Sequence, residues 1–309
     1  MLKTTRRAAA VVAYLICILV IPVALTLNSV IAPVTLTQSS ENPSPLGYTI
    51  SLSLFLFPIV ALLFWMRRFQ KLTFQKTAFF YTLALLAPAG IVLDVLFGNS
   101  FFVFENHNAV LGINFPAIGG PIPIEEIVFY VSGFATVLLL YVWCDEYWFE
   151  KYNVPDYRGE AAKIDRLLGF HWPSVIIGCG LIFLAVVYRK LFANNTEGFP
   201  WYFVYLTIMA LIPSMAFYKS AQPFINWRAF SFTLFIIVLI SLIWESTLAL
   251  PYQWWGYQER AMMGIFIGAW HNLPIEAVIL WFAVSYTTII FFESIKIWLA
   301  SGKPLKHFL

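Results

Sequence analysis

Five acidic residues in apolar surroundings are the side chains of this chain most able to do chemistry. Glu125 and Glu126 lie in the stretch PIPIEEIVFY, and Glu276 holds the corresponding place in LPIEAVILW. Asp94 and Glu245 stand near the ends of apolar runs that precede these two stretches. Ionisable residues inside apolar segments are costly and usually face a cavity or the protein interior, so they mark a candidate functional site.

Proton transfer is the chemistry that these acids support. Glu125, Glu126 and Glu276 follow prolines at predicted helix starts, where the helix dipole stabilises a carboxylate by about 0.3–1 kcal/mol. Removing a charged carboxylate from water costs several kcal/mol, so burial favours the neutral acid. We therefore expect at least one carboxylic acid that can donate a proton, with Glu125 and Glu276 as the leading candidates. Glu126 is the weaker candidate because Ala277 takes its place in the second stretch. The competing interpretation is that all three are solvated and only mark helix starts.

Aromatic side chains surround these acids along the sequence. The face of an aromatic ring attracts a cation by about 0.5–2 kcal/mol, and protonation of a carbon–carbon double bond would create a carbocation. Packing and contact with the membrane interface explain most aromatic residues of an apolar chain. The candidate substrate-binding residues are those nearest the acids: Phe104, Phe129, Trp244, Trp254, Trp255 and Trp281.

No motif for a nucleotide cofactor or a metal accompanies the acids. The sequence contains no GxGxxG after a strand, no GxxxxGK[ST] and no HExxH. Its four histidines are scattered, and its three cysteines are too few for a disulfide framework or a metal site. We therefore expect neither a cofactor nor a metal.

The composition predicts a membrane protein rather than a soluble domain. Hydrophobic residues make up 61% of the 309 residues and charged residues 11%, against about 45–50% and about 25% in soluble domains. An apolar run of about 20 residues is long enough for a spanning helix. The predicted fold is an all-α bundle of about eight membrane-spanning helices, over residues 8–32, 48–66, 76–97, 122–143, 173–193, 199–218, 228–250 and 272–298.

The basic residues predict how these helices are oriented. With the N-terminus inside, all but three of the 19 Lys and Arg residues fall on the cytoplasmic side, and the exceptions are Arg189, Lys190 and Arg260. The positive-inside rule therefore places both termini in the cytoplasm. The expected location is the inner, cytoplasmic membrane. The net charge of +3 reflects this bias and gives no reason to expect a nucleic-acid partner.

The chain repeats itself. A shift of 151 residues places Glu125 on Glu276 and Asp94 on Glu245. Because each half would contain four spans, the halves have the same orientation, and sites tend to form where such repeats meet. We expect three regions: a first membrane repeat at 1–144, a cytoplasmic connector at 145–172 and a second membrane repeat at 173–309.

The two glutamate stretches, each preceded by a loop rich in Phe or Trp, resemble the integral-membrane lycopene cyclase domain family, whose pattern is a duplicated P-[IL]-E-[ED]. The resemblance implies conversion of the acyclic ψ end groups of lycopene to β-ionone rings, an isomerisation without redox change. It also implies that the motif acids are Glu125, Glu126 and Glu276. The second stretch departs from the pattern, since it reads PIEA.

On this resemblance the expected partner is a lipophilic polyene taken from the bilayer, and association with other carotenoid enzymes is a further expectation. Two alternatives stay open at this point. One is a related end-group enzyme, either a hydratase or a cyclase that forms a different ring. The other is a proton-coupled transporter, which would place its acids nearer the middle of the bilayer.

Overall fold

The computed structural model of the protein describes residues 44–68, 75–154, 161, 164, 166–302 and 304. The predicted span over residues 8–32 lies outside the described residues. Within them, seven helical segments are long and apolar enough to cross a membrane, which confirms the other seven predicted spans. The helices are α1 Gly47–Ser51, which leads directly into α2 Ser53–Arg68, then α3 Lys76–Phe101, α4 Ile124–Trp143, α5 Trp172–Leu191, α6 Trp201–Ala221, α7 Trp227–Trp244 and α8 Ile275–Ser301.

Prolines and glycines set several helix boundaries. Pro123 and Pro274 adopt extended backbone angles and immediately precede α4 and α8, as suits a residue without an N–H to donate. Gly302 ends α8 with φ 67°, a left-handed conformation that favours glycine. Two helices continue as π-helical turns, α4 over Cys144–Trp148 and α7 over Glu245–Ala249.

Helices α4 and α8 form the centre of the bundle and pack on each other. In the first half α2 and α3 pack on α4, and in the second half α6 and α7 pack on α8. The halves also exchange contacts, because α3 packs on α8 and α7 packs on α4. We call the end of the bundle that carries residues 102–123 and 250–274 the loop side, and the opposite end, with residues 149–154 and 166–171, the connector side.

Six short strands build the loop side: β1 Phe102–Val103, β2 Asn114–Phe115, β3 Ile122–Pro123, β4 Gly256–Tyr257, β5 Phe266–Ile267 and β6 Leu273–Pro274. Within the halves β2 pairs with β3 and β5 pairs with β6, both antiparallel. Strand β1 instead pairs with β4 of the other half, also antiparallel. The two loop segments therefore hold the halves together at this end.

Backbone hydrogen bonds beside β1 and β4 relate the halves in a reciprocal way. The Asn106 N–H donates to the Gln253 carbonyl at 3.2 Å, and the Gln258 N–H donates to the Phe101 carbonyl at 2.8 Å. The two donors, Asn106 and Gln258, are about one repeat length apart in the sequence, and so are the two acceptors, Phe101 and Gln253. A contact in which each side offers the same groups to the other is what a two-fold relation produces.

A buried polar cluster joins the halves on the connector side. The Lys296 ammonium lies 3.3 Å from a Glu293 oxygen and 3.9 Å from an Asp145 oxygen. The Tyr141 hydroxyl donates to Glu293 at 2.9 Å. All three charged side chains are almost fully buried, so the ammonium offsets part of the cost of burying two acids.

We predict that Lys296→Ala lowers the melting temperature of the detergent-solubilised protein. Removing one partner of a buried ion pair leaves uncompensated charge and typically costs about 3–5 kcal/mol. The matched control is Lys219→Ala, since Lys219 is exposed near the same end of the bundle. Equal melting temperatures for the two variants would contradict a stabilising role for the cluster.

Candidate active site

A cavity of about 130 Å³ lies where the two halves meet, towards the loop side. Apolar cavities of about 150 Å³ admit a benzene-sized molecule, so this one can hold the ring-sized end of a larger apolar ligand. Residues of α3, α4, α6, α7 and α8 line it together with residues of the loop side. Three of the five candidate acids reach it, and these are Asp94, Glu126 and Glu245.

Asp94 lies on α3 about two turns before the end of the helix. Its Oδ1 accepts a hydrogen bond from the Tyr130 hydroxyl at 3.4 Å, and its buried Oδ2 has no partner among the described residues. Gly98 makes room for this carboxyl group, because a Cβ at Gly98 would stand 2.6 Å from Asp94 Oδ1. A buried carboxyl group with so little hydrogen bonding is costly to ionise, which suits an acid that carries a proton.

Glu126 lies in the first turn of α4 and is buried. Its Oε1 accepts a hydrogen bond of 2.5 Å from the hydroxyl of Tyr48, which also lines the cavity. The Tyr48 ring packs at 4.8 Å from Trp255, so an aromatic contact with the other half holds the donor in place.

Glu245 accepts more hydrogen bonds than either of the other two acids. It accepts hydrogen bonds from Ser241 at 3.0 Å, from the Trp281 indole at 3.2 Å and from the Tyr257 hydroxyl. Burial and then the nearby Glu245 raise the pKa of Tyr257 well above its usual range, so this phenol stays protonated and donates. Three donors around one carboxylate stabilise its anionic form.

Glu125 and Glu276, the leading candidates from the sequence, do not line the cavity. Glu125 Oε1 accepts the Leu111 N–H at 2.8 Å and the Thr49 hydroxyl at 2.5 Å. Glu276 Oε1 accepts the Met263 N–H. Both carboxyl groups therefore fasten the loop segment of their own half to the start of the following helix.

The helix geometry explains why the two adjacent glutamates differ. Successive residues of an α-helix point about 100° apart, and here Glu125 points towards Leu111 and Thr49 while Glu126 points into the cavity. At the place that corresponds to Glu126, Ala277 packs in an apolar cluster with Leu250 and Leu273. The second half therefore has no counterpart of Glu126 in the cavity, and the site is asymmetric.

Aromatic rings form the walls around the acids. Phe129 packs 5.5 Å from Trp244 and 5.7 Å from Trp281. Trp244 in turn packs 4.6 Å from Trp255. Five of the six aromatic candidates line the cavity, namely Phe104, Phe129, Trp244, Trp255 and Trp281. The sixth, Trp254, does not, and its indole donates to Ser44 at 2.8 Å.

Tyrosines are the site residues that the sequence reasoning missed. Tyr48, Tyr130, Tyr202, Tyr205 and Tyr257 all line the cavity. Their hydroxyls, which lie in otherwise apolar runs, could have identified them from the sequence, because a buried tyrosine hydroxyl usually has a hydrogen-bond partner. No group of three or more His, Cys, Asp or Glu within the described part of the chain is arranged to hold a metal ion.

We predict that Glu125→Ala loosens the loop of the first half while Glu126→Ala does not. A hydrogen bond to a charged acceptor contributes about 1.5–3 kcal/mol, so without it the Leu111 amide should exchange its hydrogen about tenfold faster or more. Hydrogen–deuterium exchange of the peptide around Leu111 measures this, and Glu276→Ala should do the same at Met263. Unchanged exchange at Leu111 in Glu125→Ala would contradict the anchoring role.

Comparison with known families agrees with this division into halves. A family model described as Lycopene cyclase matches the chain twice, over residues 47–144 and 199–295. No curated protein and no solved structure matches the chain. The two matched regions together cover more than half of the sequence and include all five candidate acids. The chain is therefore a member of the lycopene cyclase family and a multi-pass membrane protein.

Proposed function

We propose that the protein converts the acyclic ψ end groups of lycopene to β-ionone rings by a proton-initiated cyclisation without redox change. The observation that carries this proposal is the meeting of three carboxyl groups in one apolar, aromatic-walled cavity. One carboxyl group has almost no hydrogen bonds, and another has three. Carboxyl groups in such different environments take different protonation states, as acid–base catalysis requires.

Asp94 is the proposed acid. Its carboxyl group delivers a proton to one carbon of the terminal double bond of the end group. The π electrons of that bond form the new C–H bond and leave a tertiary cation on the other carbon. The unpartnered Oδ2 supports this role, because no donor from the described residues stabilises a negative charge there before the reaction. The next double bond then attacks the cation and closes the ring.

The walls and Glu245 stabilise the cation. Trp244, Trp281 and Phe129 present aromatic surfaces, each worth about 0.5–2 kcal/mol of attraction to a positive charge. The Glu245 carboxylate, held by three donors, adds a fixed negative charge that needs no reorganisation during the reaction.

Glu126 is the proposed base. Loss of a ring proton to its carboxylate forms the ring double bond, and the hydrogen bond from Tyr48 supports the anionic form that accepts the proton. The proton returns from Glu126 to Asp94 to complete the cycle. No atom is gained or lost overall, so the reaction is an isomerisation and requires neither an oxidant nor a reductant.

The surroundings of the acids favour cyclisation over hydration and over proton-coupled transport. A hydratase must bring water to the cation, whereas this cavity is lined mostly by aromatic and aliphatic side chains. A proton-coupled transporter would place its acids near the middle of the spans. Here Glu126 lies in the first turn of α4 and Asp94 about two turns from the end of α3.

We predict that Glu126→Gln and Glu125→Gln, the same change at adjacent residues, have opposite outcomes. Glu126→Gln removes the base and should lower cyclisation by about 10²–10⁴-fold. Glu125→Gln should retain most activity, since a glutamine oxygen can still accept from Thr49 and Leu111. The measurement is cyclic pigment formed in lycopene-accumulating cells, normalised to the amount of protein in the membrane. Asp94→Asn should behave like Glu126→Gln, and loss of activity in Glu125→Gln alone would reverse the assignment.

A second prediction concerns the room that Gly98 leaves for Asp94. Gly98→Ala would place a Cβ 2.6 Å from Asp94 Oδ1 and so displace the carboxyl group. Misplacing a catalytic group by about 1 Å can cost 10²-fold, and we expect a loss of that order. The matched control is Gly180→Ala, because its Cβ would meet nothing within 4 Å and Gly180 does not line the cavity. Equal pigment yields from the two alanine variants would count against Asp94 as the acid.

A further inference from the structure

The cavity is elongated along one face of α3. Leu86, Ala89, Leu93 and Phe97 line it at the spacings of three and four residues that share a helix face. With Phe101 as the last lining residue on this helix, the lined face extends about 22 Å at the rise of an α-helix. The acids occupy only the end near the loop side, and Leu86 lies about 12 Å deeper than Asp94.

The deeper part of the cavity is apolar. It is bounded by Leu86, Phe134, Met209 and Val284. The one hydroxyl beside them, that of Thr287, donates to the Met209 carbonyl at 3.2 Å and is thereby satisfied. This part can therefore accept a long hydrocarbon but offers nothing to a polar group.

The cavity also reaches the outer surface of the bundle between α3 and α6. Phe97 lines the cavity yet is 43% exposed, and Ala89 is exposed as well. On the facing helix Tyr205 and Met209 are half-buried. The Phe97 and Tyr205 rings are 6.3 Å apart and cover the end near the loop side, whereas the small Ala89 leaves the deeper part of the opening unfilled.

We propose that the slit between α3 and α6 is a lateral entrance through which the polyene passes from the bilayer. This rests on the proposed function and adds the path and pose of the substrate. One end group lies at the acids, the polyene tail lies along α3, and Ala89 determines whether the tail can fit. The far end of the molecule points away from the acids into the membrane.

This pose limits each binding event to one ring. A substrate with two identical ends must leave and re-enter in the opposite direction before the second end meets the acids. The enzyme therefore releases a product with one ring, which should accumulate when enzyme is scarce relative to lycopene.

The test fills the slit at Ala89. In an Asp94→Asn background, which binds without turnover, the readout is lycopene that co-purifies with the protein, measured by its absorbance. Ala89→Phe should lower bound lycopene about tenfold or more, because overpacking removes the space for the tail. Ala84→Phe is the matched control, since Ala84 is exposed on the same helix and does not line the cavity. With Asp94 restored, Ala89→Phe should also lose cyclisation of lycopene but keep it for a truncated polyene with the same end group.

The outcomes separate the two proposals. Lycopene that binds to the parent but stays acyclic with Asp94 intact would refute the proposed function and leave the entrance supported by the binding loss in Ala89→Phe. Normal binding and cyclisation in Ala89→Phe would overturn the entrance alone. Equal loss of the long and the truncated substrate would also overturn it, because Ala89 would then act at the acid end. Absence of bound lycopene in every variant would overturn the entrance for this substrate.

Discussion

A buried carboxyl group must either find hydrogen-bond donors or stay neutral, and this constraint governs the loop side of the protein. The five acids meet it in different ways. Glu125 and Glu276 take backbone N–H groups of the loops, and Glu245 collects three side-chain donors. Asp94 has almost none. The anchoring acids fix the loops that close the cavity, so the chemistry of the other three depends on them.

Most of the fold could be predicted from the sequence because its signals are local. Apolar runs about 20 residues long gave the bounds of seven described spans to within a few residues, since hydrogen bonding within a helix satisfies the backbone regardless of its neighbours. The repeat was visible because acids are rare in such a chain. The pairing of β1 with β4 was not visible, because strands of two residues have no pattern of their own.

Which acids line the cavity and which anchor the loops could not be predicted from the sequence. Glu125 and Glu126 are adjacent and share one apolar setting, and only the rotation of α4 within the bundle decides which one meets the cavity. Trp254 and Trp255 are also adjacent, and only Trp255 lines the cavity. The repeat singled out the duplicated Glu125, but duplication is equally expected of a residue that fastens the same loop in both halves.

The site is asymmetric although the halves are related, and burial energetics explain why. Asp94 and Glu126 come from the first half and Glu245 from the second, so neither half alone assembles the three carboxyl groups that line the cavity. A fully symmetric site would add a fourth carboxyl group at position 277. Each further buried acid raises the cost of keeping its neighbours ionised, which would oppose the proposed role of Glu245 as a carboxylate that stabilises a cation. Ala277 avoids that cost and packs instead in an apolar cluster with Leu250 and Leu273.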